Sequence, residues 1–235
     1  MLIKALLLDL DGTLLPLDTD GFLRHYLKSI AAHVAHLTDP KEFVDSLMAS
    51  TEVMVKNTDK TRTNKEVFWD DFLKRVNVPE EQLMPVLDDF YANQFPKLVK
   101  YTSPTPLSKQ IVETAAEKGL RVVVATNPVF PTEAIQERLR WIGVEDYPFD
   151  LVTTYEIMHF CKPQIGYYQE ILEMTGLDPK ECLMAGNDPL EDLVASKLGM
   201  KTFLVEDYVI TRKNVDFVPD YQGSLRDLLE FVERL

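Results

Sequence analysis

The sequence predicts an α/β protein: a mostly parallel sheet in a three-layer core, with a helical segment inserted after the first strand. Three observations lead there. From about residue 104 onward, short apolar runs alternate with helix-length amphipathic stretches, the pattern of parallel strands joined by helical crossovers. Residues 14–100 carry apolar side chains at helical spacing and no clear strand. The first apolar run, Leu6–Leu8, lies ahead of that segment and so apart from the other strands.

Taken in order, Leu6–Leu8 is a short buried strand ended by the turn signal Asp-Leu-Asp-Gly. Phe22, Tyr26, Ile30, Val34 and Leu37 then fall on one helical face. Three further sets, Phe43 and Leu47, Val67 to Val76, and Leu83 to Tyr91, complete about four helices. Ser-Pro-Thr-Pro at 103–106 opens a helix over 106–118 that stops at Gly119. Arg121–Ala125 is β-branched and apolar, a strand. Helices over 131–142, 164–175 and 190–198 are each followed by glycine. Strands at 151–154, 182–185 and 202–205 separate or follow them, and a helix covers 223–234. Residues 1–13 and 101–235 therefore read as one core domain, and 14–100 as an inserted helical domain.

At ~150 residues per domain, 235 residues allow one elaborated domain or two unequal ones. An apolar fraction of 46% with 27% charged residues is that of a folded globular chain. The formal charge of −13 opposes non-specific binding to nucleic acid and to anionic membranes. A small phosphate ester remains compatible with it if the site is locally positive or holds a cation. Two cysteines make no disulfide framework. No apolar run approaches the ~18 residues of a membrane span, and the N-terminal stretch, broken by Lys4 and Asp9, lacks the features of a signal peptide. The expectation is a cytoplasmic protein, a monomer or a homodimer, with no nucleic-acid or membrane partner.

In open α/β sheets ligands bind beyond the carboxyl ends of the strands, so the polar residues that follow each strand carry the chemistry. Asp9-Leu-Asp11-Gly12-Thr13 places two carboxylates two residues apart, suited to a divalent cation and to attack on phosphorus. Thr126 and Asn127 follow the second core strand, where a hydroxyl and backbone N–H groups can hold phosphate oxygens. Lys162, ahead of Pro163 and a helix, can neutralise both a nucleophilic carboxylate and a phosphate. Gly186-Asn187-Asp188-Pro-Leu-Glu-Asp192 is an acidic loop that offers the hard oxygens Mg²⁺ prefers.

In order and spacing these four segments resemble the motifs of the haloacid dehalogenase-like hydrolase superfamily, in its phosphatase branch. The resemblance covers the whole chain. It implies a Rossmann-like core and a C1-type helical cap formed by 14–100. It also implies an Mg²⁺-dependent phosphatase acting on a small phosphorylated metabolite through an aspartyl-phosphate. Asp9 would be the nucleophile and Asp11 the acid and base. Thr126 and Lys162 would stabilise the transferred group, and Asp192 would orient Lys162 or metal-bound water. Asp9, Asp11 and Asp188 would hold the metal. Many relatives have Asp directly after the fourth motif's glycine, where this chain has Asn187. Because a carboxylate binds Mg²⁺ better than an amide oxygen, Asp188 is favoured over Asn187. A second aspartate at Asp11 fits phosphate chemistry, since halide leaves without a proton. A phosphomutase shares all four motifs, and a non-catalytic binding protein of the same fold is the remaining alternative.

Other residues have plainer readings. His33 and His36 lie three apart on a helix without partners for a zinc site. His159 and Cys161 flank Lys162 and line a strand end. The stretch 56–65 holds four basic residues and one acidic, so Lys60 and Arg62 are candidates for contact with anionic substrate groups, although a solvated loop explains them too.

Overall fold

In the computed structural model, which describes residues 2–212 and 216–235, six strands form one sheet in the order β3-β2-β1-β4-β5-β6. They are β1 (Ala5–Leu8), β2 (Arg121–Val124), β3 (Leu151–Val152), β4 (Cys182–Gly186), β5 (Lys201–Val205) and β6 (Tyr221–Gly223). Every adjacent pair is parallel. The central strand β1 is Ala-Leu-Leu-Leu, buried throughout because helices cover both of its faces. Its even residues Leu6 and Leu8 pack into the larger apolar cluster, and Ala5 and Leu7 into a second on the opposite face.

Helices α5 (Pro106–Glu117), α6 (Thr132–Trp141), α7 (Ile165–Thr175) and α8 (Leu225–Glu233) belong to this core. Each begins or ends on a local signal. Pro106 stands at the first position of α5 behind Thr105, whose hydroxyl accepts from the Leu107 N–H. Gly176 closes α7 in the left-handed conformation.

Between β1 and α5 lie four helices, α1 (Thr19–Val34), α2 (Pro40–Lys56), α3 (Asn64–Arg75) and α4 (Glu80–Asn93), and a 3₁₀ segment at Phe95–Tyr101. Phe22, Tyr26, Ile30 and Val34 form the buried face of α1, as their spacing predicts. The helical segment is tied to the loops after β2 and β3. Asn64, fully buried, donates from its amide to the Pro128 and Phe160 carbonyls. The Lys65 N–H bonds the Tyr155 carbonyl at 2.7 Å. Gln164 donates back to the Val55 and Asn57 carbonyls at the end of α2.

Three sequence expectations need correction, and two elements were not expected. The helix over 190–198 is only a 3₁₀ segment, Leu193–Leu198, because the preceding residues are spent on a site loop closed by the Asp192 side chain. The strand over 151–154 stops at Val152, and the Thr153 hydroxyl turns to the Thr126 carbonyl. The strand β6 and the 3₁₀ segment at Phe95–Tyr101 are absent from the sequence reading. β6 has three residues, two of them exposed, and so no alternation to read. Its glycine, Gly223, belongs to the strand, and α8 starts behind the capping residue Ser224.

Among the described residues no helix is long and apolar enough to cross a membrane.

Candidate active site

Because all strands are parallel, the segments after β1, β2, β3 and β4 meet at one edge of the sheet. Asp9 directly follows β1 and is anchored there by its N–H to the Ala185 carbonyl at 2.9 Å. The chain then turns sharply. The Gly12 N–H bonds the Leu15 carbonyl, and the Leu15 N–H bonds the Leu10 carbonyl. Gly12 has φ +84°, and a Cβ there would lie 2.1 Å from the Asn187 amide nitrogen. Only glycine permits this turn and this approach of the two loops.

Lys162 reaches in from the loop before α7. Its ammonium donates to Asp9 Oδ1 at 2.9 Å and to Asp192 Oδ1 at 2.6 Å, and its side chain is 1% exposed. Asp192 Oδ2 accepts from the Asp188 N–H, and a Cβ on Gly186 would strike that carboxylate at 2.0 Å. Two carboxyl groups thus share one ammonium in a buried site. Burial raises the Asp9 pKa above the ordinary carboxylate value, opposed by Lys162 and the Thr13 hydroxyl. Burial likewise pushes Asp192 up to about 7 against the pull of Lys162. Burial alone would lower the Lys162 pKa, but Asp192 and Asp9 outweigh it and hold the ammonium charged.

Asp11 Oδ2 accepts from Arg138 Nη1 at 2.8 Å, while Asp11 Oδ1 is buried without a partner. Burial raises the Asp11 pKa, with Arg138 and Lys162 opposing. Arg138 comes from α6, is fully buried, and lies 3.9 Å over the Phe130 ring. The sequence reading missed it. Its signal was present: Arg138 follows Ala134 by four and Ile135 by three, on the apolar face of α6.

Thr126 is buried, and its carbonyl accepts from Thr153 and Tyr167 hydroxyls at 2.7 and 2.9 Å. The Asn127 side chain is taken up by protein groups, accepting from the Lys162 N–H and donating to Glu191 Oε2. Burial pushes Glu191 itself up to about 7.

The two candidates of the fourth segment face different ways. Asn187 Oδ1 and Asp9 Oδ2 both accept from the Thr13 hydroxyl, at 3.2 and 3.1 Å. Asn187 Nδ2 donates to the Tyr208 carbonyl. Asp188 instead accepts from Arg212 Nε at 3.0 Å, from Arg212 Nη2, and from the Leu190 and Glu191 N–H groups. Arg212, 24 residues away, had no signal in the sequence. No group of three or more His, Cys, Asp or Glu side chains that could hold a metal occurs among the described residues.

Asp9, Asp11, Thr126, Asn127, Asn187, Asp188 and Asp192 line one cavity of about 1120 Å³, walled by the helices of 14–100. Lys65 lines it as well, whereas Arg62 turns to the Glu66 carbonyl and to Asp70 on α3, and Lys60 is exposed. His33 pairs with Asp89 and His159 with Glu170. Cys161 is buried, and burial raises its thiol pKa far above the ordinary value, so it is no nucleophile.

The family model of haloacid dehalogenase-like hydrolases matches residues 3–198. A glyceraldehyde 3-phosphate phosphatase of Methanothermobacter thermautotrophicus is 27% identical over 206 residues, 87% of this chain and 86% of that protein. A haloacid dehalogenase-like hydrolase domain-containing protein 3 of Xenopus laevis is 28% identical over 101 residues, 43% of this chain and 40% of its own length. A phosphatase of the same family from Thermococcus onnurineus has the same fold (TM-score 0.61, 20% identity, 98% of each chain). So does an L-2-haloacid dehalogenase (TM-score 0.61, 18% identity, covering 99% of this chain and all of that one).

Proposed function

The chain belongs to the haloacid dehalogenase-like hydrolases, and from that premise we propose that it is an Mg²⁺-dependent phosphatase of a small phosphomonoester, working through an aspartyl-phosphate on Asp9. The observation that carries this reading is the buried Asp9–Lys162–Asp192 array with a second carboxylate, Asp11, beside it in the same cavity.

An Asp9 oxygen attacks phosphorus and the bond to the leaving oxygen breaks. Burial, which raises the Asp11 pKa, suits that carboxyl to hold the proton that the leaving oxygen takes up. Asp11, now ionised, accepts a proton from the water that attacks the phosphoryl group, which frees Asp9 and inorganic phosphate. Arg138 fixes the rotamer of Asp11 through one oxygen and leaves the other for these proton transfers. Lys162 offsets the charge of Asp9 and of the transferred group, and Asp192 holds Lys162 in place. Thr126, whose backbone is pinned by Thr153 and Tyr167, supplies its hydroxyl to a phosphoryl oxygen. The Asn127 side chain braces the loops that carry Lys162 and Glu191, which leaves phosphate contact to its backbone. Residues 14–100 act as the cap that shuts out water and selects the substrate.

The residues fit Mg²⁺. The donors are hard oxygens, and Asp11 Oδ1 is orphaned. Mg²⁺ takes only one or two carboxylates and keeps several waters, so three converging carboxylates are not required. Asp9 and the Asp11 segment would hold it. Asn187 is better placed than Asp188 to complete the set, because Asn187 Oδ1 shares a hydroxyl with Asp9 while Arg212 engages Asp188. When bound, the ion supplies charge compensation between nucleophile and phosphate.

The test is phosphate release from p-nitrophenyl phosphate with Mg²⁺ or with EDTA, by the wild type and by Asp9→Asn. The proposal expects release that needs both Mg²⁺ and Asp9. Release that survives Asp9→Asn, or that ignores EDTA, contradicts it.

A further inference from the structure

We infer that the substrate of this site is a phosphomonoester whose organic part is predominantly apolar and carries no second anionic group. This deepens the proposed phosphatase reading and rests on it. The cavity that opens from Asp9 extends far past the space of one phosphate, to about 1120 Å³, above the usual ~300–1,000 Å³ of a small-molecule pocket.

Much of its wall is apolar, interrupted by Thr51, Thr132 and Gln136. Leu23, Leu27 and Ile30 come from α1, Phe68 and Trp69 from α3, and Phe130 from the loop after β2. The polar tips of the aromatic wall already have partners: Trp69 Nε1 donates to the Tyr155 hydroxyl at 3.1 Å, and the Tyr26 and Tyr91 hydroxyls pair at 2.9 Å. What these side chains offer a ligand is ring surface. A polyol laid against these faces would lose its water there without gaining a hydrogen bond from them.

Charge narrows the class further. Asp20, Asp88, Glu133 and Glu156 line the cavity, against Lys65, Arg140 and Arg212, the last of which is held by Asp188 and Glu191. Arg140 is already paired with Glu137. A pyrophosphate or a second carboxylate on the substrate would meet repulsion with little compensation, whereas an alkyl or aryl body would displace water from apolar walls.

The experiment uses the full chain with Mg²⁺ and n-alkyl phosphates from methyl to hexyl, whose leaving alcohols have similar acidity. Burial of each methylene should raise kcat/KM about three- to fourfold over the first several carbons. Pyrophosphate should be turned over more slowly than hexyl phosphate. The variant Leu27→Trp, which fills the apolar end, should flatten the dependence on chain length. A flat or falling series, or a preference for pyrophosphate, overturns the inference. Calorimetry with the non-hydrolysable n-alkylphosphonates separates this from the phosphatase reading. Tighter binding with chain length but no ester cleavage leaves the apolar cavity standing and sinks the phosphatase. Cleavage with no dependence of binding on chain length does the reverse. No binding of any phosphonate contradicts both.

Discussion

Asp11 has one carboxylate oxygen on Arg138 and the other unpartnered in a buried site, so its two oxygens have different work. Asp11→Asn keeps the contact to Arg138 and removes the proton carrier. On an alkyl phosphate, whose leaving group needs a proton, kcat should fall by about 10²–10⁴, as steady-state kinetics will read. Arg138→Met keeps most of the volume against Phe130 but strands a buried carboxylate. It should cost about 3–5 kcal/mol in urea unfolding, and a loss below 1 kcal/mol would show that the pair is not needed for stability. Asp9, Asp11 and Asp192 were legible in the sequence because each lies in a short motif at a strand end, and Lys162 only through its place in the order of the four segments. The partners that set their chemistry were less so. Arg138 touches Asp11 across 127 positions and Arg212 touches Asp188 across 24, contacts that only the folded chain defines. Asn187 and Asp188 are adjacent in sequence, and the loop's path gives them different partners, Asn187 sharing the Thr13 hydroxyl with Asp9 and Asp188 meeting Arg212.

The α3 helix is the element that joins the helical segment to the site. Thr63 caps it through a reciprocal pair with Glu66, and the next residue, Asn64, bonds the carbonyls of both site loops. Thr63→Ala should cost about 1 kcal/mol, or about 2–4 °C in Tm by calorimetry. Apolar spacing made α1 to α4 readable, and proline starts or glycine stops made α5 to α7 readable. Periodicity failed where an element is too short to hold a period, as in β6 with three residues, and it overran β3, which has two. It failed also where side chains serve the site, as in the loop before Leu193 that was expected to be helical.

At the scale of the whole molecule, the site stores negative charge that the fold must tolerate. Burial pushes Asp192 and Glu191 up to about 7 in the folded protein, from ordinary values of 3.8 and 4.5. Between those values the folded state binds more protons than the unfolded one, so these groups make stability fall as pH rises from about 4 to about 7. Above about 7 their penalty is complete. In the absence of Mg²⁺, Asp192→Asn should therefore gain Tm relative to the wild type on going from pH 5 to pH 8, and an unchanged difference would contradict the shift. Added Mg²⁺ should raise the wild-type Tm more at pH 8 than at pH 5, because it binds the deprotonated carboxylates.

The central claim is a covalent phosphoryl group on Asp9 whose release needs Asp11, and one rapid-mixing measurement addresses it. The p-nitrophenolate group leaves without a proton, so in Asp11→Asn the first step survives while hydrolysis of the acyl phosphate stalls. Mixing that variant with p-nitrophenyl phosphate and Mg²⁺ should give a burst of one nitrophenolate per chain followed by slow turnover. The burst should vanish when Asp9→Asn is added to the same chain. Turnover that is linear from the start, at the wild-type rate, would contradict both the covalent intermediate and the role of Asp11.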